Sequence, residues 1–247
     1  MRNWMGLVAI GVTSISFGQT KDPIVTDRPD FTESAIVVPF KRVQIETGFT
    51  YQWSRSAFTL GLPETLFRIS TGTKSELRIG LPDYNWQSSN SVRSAGLSDL
   101  YLGMKLQIGP FANGDDFALI PAINMPSKVD PFSSQTFDPE LKVCWGRSLS
   151  AVWGVSAMAY FIYASDDTGG QLVTQTTVSF SRELSGQSGM FFEYAATFAN
   201  RMEGIHVVHV GWAFRPTSDT QFDIHGGFSL SSIDSEPFIA MGYSVRY

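Results

Sequence analysis

Pro237-Phe238-Ile239-Ala240-Met241-Gly242-Tyr243-Ser244-Val245-Arg246-Tyr247 closes the chain, and its reading decides the fold. From Ile239 onward the odd positions Ile239, Met241, Tyr243, Val245 and Tyr247 are apolar or aromatic. The even positions Ala240, Gly242, Ser244 and Arg246 are small or polar. A repeat of two places these sets on opposite faces of a β-strand. A closing strand with one apolar face and a terminal aromatic residue is typical of an outer-membrane β-barrel.

The same two-faced pattern recurs upstream. Val43, Ile45, Thr47, Phe49, Tyr51 and Trp53 oppose Gln44, Glu46, Gly48, Thr50 and Gln52. Further alternating segments are predicted at about 65–72, 77–81, 99–107, 117–125, 140–145, 153–161, 172–182, 190–194, 208–215 and 221–230. Alternation breaks at Pro82, and Pro121 sits inside a predicted strand although proline removes a ladder donor. No helical pattern separates these segments. Twelve strands leave roughly 19 residues for each strand and its connection, which suits spanning strands of about 9–11 residues. An even count puts both chain ends on the periplasmic side. The expected fold is therefore all-β: a single antiparallel transmembrane β-barrel of about twelve strands over residues 42–247.

Composition agrees. Of 247 residues, 43% are hydrophobic and only 17% charged, below the usual quarter. No internal apolar run approaches the roughly 18 residues of a membrane helix. The net charge of −5, without basic clusters and interleaved aromatics, argues against a nucleic-acid partner. Arg2, the apolar stretch Trp4 to Phe17 and the small residues Ser16 and Gly18 predict a signal peptide over 1–18. Residues 19–41, polar and proline-containing, read as a periplasmic or lumen-folded lead-in. Cys144 is the only cysteine, so no intramolecular disulfide forms. A closed barrel supplies order another way, since every strand has two neighbours.

Connections give a further expectation. Short turns at 73–75, 146–150 and 216–218 contrast with longer polar segments at 54–64, 85–95, 127–136 and 164–170, as for periplasmic turns and outside loops. Phe49, Tyr51, Trp53, Tyr84, Trp86, Phe161, Tyr163, Tyr243 and Tyr247 cluster near strand ends, where aromatic girdles meet the membrane boundary.

With the apolar face toward lipid, the other face lines a lumen. It carries Glu46, Arg68, Glu76, Arg78, Asp99, Lys105, Glu140, Lys142, Glu193, His209, Arg215, Asp223, His225 and Arg246. Charges in a closed interior must be paired or hydrated. Each is read first as part of an ion-pair network, and the lining together as setting permeation. No catalytic, metal or cofactor site is expected. His206 and His209 fall on opposite faces of one strand, and no serine elbow, phosphate loop or Cys-x-x-Cys appears.

Thr26-Asp27-Arg28-Pro29-Asp30-Phe31-Thr32-Glu33-Ser34, followed by Val38-Pro39 and Gln44-Ile45-Glu46-Thr47-Gly48, resembles the start of the outer-membrane barrel proteins named for the MetA pathway of phenol degradation. Glu76-Leu77-Arg78, Gly96-Leu97-Ser98-Asp99-Leu100, Glu193-Tyr194 and Gln221-Phe222-Asp223 also fit. The resemblance implies a porin-like channel or transporter that passes small solutes by diffusion; the aromatic or hydrophobic nature of those solutes rests on the family label alone. Expected partners are outer-membrane lipid, the barrel-insertion machinery and the solutes. Alternatives are a barrel-embedded hydrolase and a structural barrel with a closed lumen. Asp27, Arg28, Asp30 and Glu33 precede the first strand. They could fold inward as a plug, pairing with Arg78, Lys105 or Arg246, or simply seal the mouth.

Overall fold

In a computed structural model, Val43–Trp53 (β1) pairs antiparallel with Phe238–Arg246 (β14), from Gln44 opposite Arg246 to Gln52 opposite Phe238. First and last strands thus meet, and the sheet has no open ends there. Between them run β2 (Ala57–Gly72), β3 (Ser75–Gly80), β4 (Tyr84–Ser89), β5 (Val92–Leu97), β6 (Leu100–Gln107), β7 (Asp115–Met125), β8 (Asp138–Ser148), β9 (Trp153–Asp166), β10 (Gly169–Ser185), β11 (Ser188–Ala199), β12 (Ile205–Thr217) and β13 (Thr220–Ser229). The described residues are 22–247 apart from 91, 130, 135, 167–168, 201–202 and 231–235. The expected signal peptide at 1–18 lies outside them.

The fourteen strands form a closed antiparallel barrel of twelve staves. β3 and β4 lie end to end along β2: residues 66–72 of β2 pair with β3, and 57–62 pair with β4. β5 and β6 likewise form one stave against β4 and β3. The breaks fall at 81–83, where Pro82 withdraws a donor, and at 98–99. They are tied together, with Ser98 N donating to Asp83 O at 2.9 Å and Asp83 N to Ser98 Oγ at 2.8 Å. Pro121 stays inside β7, opposite Leu141 of β8, while the β6–β7 register runs through Gly103–Ala122 and resumes at Leu106–Leu119, skipping the proline's position on that side.

Burial is inverted relative to a soluble protein. Val210 is 52% exposed, Phe192 49% and Phe222 49%, whereas Arg68, Lys105 and Glu193 are 0% exposed. The alternation therefore has the predicted phase. Met190 and Phe192 point outward in β11, and Phe191 and Glu193 inward. Apolar residues outside and charged ones inside are what a hydrocarbon solvent and a polar lumen require.

The connections differ from expectation. Segments 54–64, 85–95 and 164–170 are mostly strand, because the hairpins β1–β2, β4–β5 and β9–β10 continue their ladders outward. On that side the long connections are 126–137 and 230–237. On the side of the chain ends, 108–114 is longer than the two-residue turns at 73–74, 186–187 and 218–219.

Candidate functional site

The alternation that points apolar side chains at lipid leaves charges from neighbouring staves facing one another inside. Arg68 and Arg78 occupy paired positions on β2 and β3, and Glu76 pairs with Lys105 of β6. Arg68 Nε is 2.8 Å from Glu76 Oε1, its Nη1 is 2.9 Å from Glu46 Oε1, and Arg78 Nη1 is 2.9 Å from Glu76 Oε1. On the next staves Lys142 lies 3.5 Å from Glu140 and packs over the Tyr101 and Tyr160 rings.

Residues of the lead-in complete this network. The Asp27 carboxylate is 2.5 Å from Arg78, 2.8 Å from Lys105 and 3.2 Å from Arg68. Glu33 is 2.7 Å from Arg78 and 2.5 Å from Lys142. Barrel side chains also take up the backbone of the lead-in. Glu46 accepts from Asp27 N and Arg28 N, Glu76 from Val38 N, and Glu193 from Phe31 N and Thr32 N. Lys105 donates to Ser34 O and Arg68 to Ile36 O. A segment without strand partners thus has its polar groups met from inside the barrel.

Electrostatics follow from these contacts. Burial alone raises the Asp27 carboxyl, but Arg68, Lys105 and Arg78 outweigh it and hold Asp27 well below the ordinary range. Glu33 is buried too, and Arg78 and Lys142 pull it down. Asp30 is the opposite case: burial, reinforced by the charge of Glu193, pushes it well above the ordinary range.

Of the motif residues expected to turn inward, Asp27 and Glu33 meet Arg78 and Lys105 as anticipated. Arg246 does not meet them. Its Nε lies 2.9 Å from Asp219, and its Nη2 donates to Asp22 O and Ser218 O at the mouth. It lies near the end of β14, too far along the wall to reach Asp27. Asp99 is also placed differently from a plain lining residue. It sits at the stave break, where it accepts bonds from Ser127 N, Ser133 Oγ and Ser134 N and so anchors the outer connection 126–137. Arg215 faces inward near the opposite mouth and pairs with Glu183. His209 uses one ring nitrogen on Glu193 and the other, at 3.4 Å, on His225, while Phe31 stacks on its ring at 4.2 Å. His206, on the other face, bonds Tyr194. Among the described residues no group of three or more His, Cys, Asp or Glu is arranged to hold a metal ion.

Two participants were hidden in the sequence. Glu64 fell in a stretch read as loop, yet it continues β2 and pairs with Arg28 at 2.9 Å. Asp219, in a two-residue turn, holds both Arg246 and Arg42. Neither carries a signal of its own: Glu64 lies in a stretch without clear alternation, and acids such as Asp219 are common in turns.

The space left inside is divided. A cavity of about 550 Å³ lies in the outer half, lined among others by Phe31, Leu66, Tyr101, Phe132 and Ile162 with Asp83 and Asp138, and another of about 530 Å³ lies across Phe31 from it, beside Thr50, Gln52, Gln175, His225 and Phe238. A smaller one of about 270 Å³ opens on the side of the chain ends, beside Ile24, Ser181, Phe191, Ala213 and Gln221. Arg28 and Asp30 border the first and the smallest of these.

A closed twelve-stave barrel, apolar outside and charged inside, is an outer-membrane β-barrel. Residues 26–247 match the family described as Putative MetA-pathway of phenol degradation, and the chain belongs to that family. Its fold is similar to that of the COG4313 outer membrane channel from Pseudomonas putida F1, with a TM-score of 0.71 at 11% identity over 85% of this chain and 97% of that one. It is also similar to the NanC porin (TM-score 0.58, 10% identity, 81% of this chain and 98% of that one). The KdgM porin, solved in complex with disordered oligogalacturonate, follows (TM-score 0.55, 6% identity, 81% and 98%). Comparison with curated proteins gave no match.

Proposed function

We propose that the protein is an outer-membrane channel for small solutes and that residues 22–41 are its plug. The observation that carries the reading is Asp27, whose one carboxylate gathers Arg78, Lys105 and Arg68 from three consecutive staves. A polar lead that merely covered the mouth would not need a buried acid at the centre of the wall's ion-pair network. The mechanism is diffusion through the cavities, steered by the charges that line them, with no chemical step. The outer cavity mixes aromatic and aliphatic walls with carboxylates, a lining suited to small solutes with an apolar body and a polar or cationic group. The family's name is in keeping with aromatic compounds among them.

The test is single-channel conductance of the whole protein against a variant lacking residues 19–34. A large rise in conductance is expected, and unchanged conductance overturns the plug. Liposome swelling with sugars and aromatic acids tests the channel itself: no uptake of any solute by the deletion variant leaves a structural barrel with a closed lumen. Lipase activity that disappears on substitution of His206, His209 and His225 would instead establish the hydrolase reading.

A further inference from the structure

The two cavities meet at Arg28 and Asp30, and the wall beside Arg28 is shaped to it. Gly48 of β1 and Gly242 of β14 are direct cross-strand partners at the closing seam. A Cβ on Gly48 would lie 2.5 Å from Arg28 Nη2, and one on Gly242 would collide with Arg28 Nε. With no side chains in the way, the guanidinium lies against both strands. Its Nη1 is 2.9 Å from Glu64 Oε2 of β2, its Nη2 donates to Met241 O at 3.2 Å, and its Nε is 3.6 Å from Asp223 Oδ1 of β13. Four consecutive staves thus hold one side chain. Asp223 has a fully buried side chain, and neither of its oxygens has a hydrogen-bond partner among the described residues. Arg28 is the cation facing it.

We propose that Glu64, Asp223 and the Gly48–Gly242 pair form a guanidinium-binding slot, and that Arg28 is a shutter seated in it that separates the outer cavity from the inner one. The slot offers two carboxylates, a carbonyl and a bare floor, which match a planar cation with donors in its plane. Its ligand class is therefore a guanidinium or similar planar cation, supplied here by the chain itself. Withdrawing Arg28 joins the two cavities and leaves a buried acid unpaired, which favours re-entry of a cation. The proposal rests on the plug reading, since the shutter is part of residues 22–41.

The experiment is conductance of the full chain in planar bilayers, with folding checked by the gel shift of unheated against heated protein. Arg28→Ala is expected to conduct several-fold more than the natural protein. Millimolar guanidinium should return it toward the natural level, and equal tetramethylammonium should not. Gly242→Ala reaches the same slot without touching Arg28. The atoms nearest its new methyl would be Arg28 Nε and the two Asp223 carboxylate oxygens, so it should evict the shutter and raise conductance. In the double variant Arg28→Ala/Gly242→Ala, guanidinium should no longer block. If Arg28→Ala conducts like the natural protein while the 19–34 deletion opens the channel, the shutter is wrong and the plug stands. If the deletion itself has no effect, the plug reading has failed first. Guanidinium block that persists undiminished in the double variant places the block elsewhere and overturns the slot.

Discussion

Asp27 shows how much one side chain can organise inside a membrane barrel. It carries a single charge, yet Arg68, Arg78 and Lys105 all lie within 3.2 Å of it. Removing one partner from a buried charge cluster typically costs about 3–5 kcal/mol, because the remaining charges lose their compensation. Asp27→Ala is therefore expected to release the lead-in while the barrel, held by its ladders, stays folded. Limited proteolysis should then cut within residues 22–41 in the variant and spare the natural protein. Asp30 gives the pH dependence. Its folded-state pKa is raised, so its contribution to docking is fully present below the ordinary carboxylate range and fades as pH climbs through the raised value. Asp27 and Glu33 have lowered values, so their contributions hold above that range and fail only as pH falls below it. Docking should thus loosen toward alkaline pH through Asp30. Asp30→Asn should abolish that loosening, measured as the pH profile of segment proteolysis. A profile identical to the natural protein's would remove Asp30 as its cause.

Single strands are governed by what lies on each side of them. β12 carries Val210 and Trp212 on the lipid face and His209 on the lumen face. Val210→Arg, in the middle of that strand, should lower stability in lipid by about 2–4 kcal/mol, as arginine does near the bilayer midplane. Chemical denaturation in vesicles measures it, and a loss under about 1 kcal/mol would place this face away from the hydrocarbon. Periodicity made most strands legible, including β11, whose phase Glu193 alone revealed. It did not reveal β4 and β5. Their sequence, Tyr84-Asn85-Trp86-Gln87 to Val92-Arg93-Ser94-Ala95, is polar because much of that hairpin lies beyond the stave breaks, so lipid does not impose alternation on it. For the same reason 54–64 read as loop although it extends β2 outward. Polarity indicates exposure to water, not the absence of a ladder.

The barrel as a whole couples its closing seam to its contents. β1 and β14 are held together by their ladder, and Arg28 lies across both from within. The wall and the lead-in therefore share one charge network, and on the plug and shutter proposed above the seating of the segment sets whether outer and inner cavities communicate. Deleting 19–34 and substituting Arg28 should rank in that order for conductance. The deletion empties the lumen, whereas the substitution opens only the partition.

Local sequence was sufficient for the membrane barrel, its stave count and most of the charges that turn inward, though not Glu64, Asp83 or Asp138. Those follow from a repeat of two read against two solvents, and each strand carries that signal itself. Pairings across the lumen are of another kind. That Asp27 would reach Arg68, Arg78 and Lys105 while Arg246 instead turned to Asp219, and that Gly48 and Gly242 would meet beneath Arg28, depends on closure of the sheet. Closure brings residues far apart in the chain to within a few ångströms. No periodicity records which inward charge will face which, because every inward position looks alike until the strands are curled into a ring.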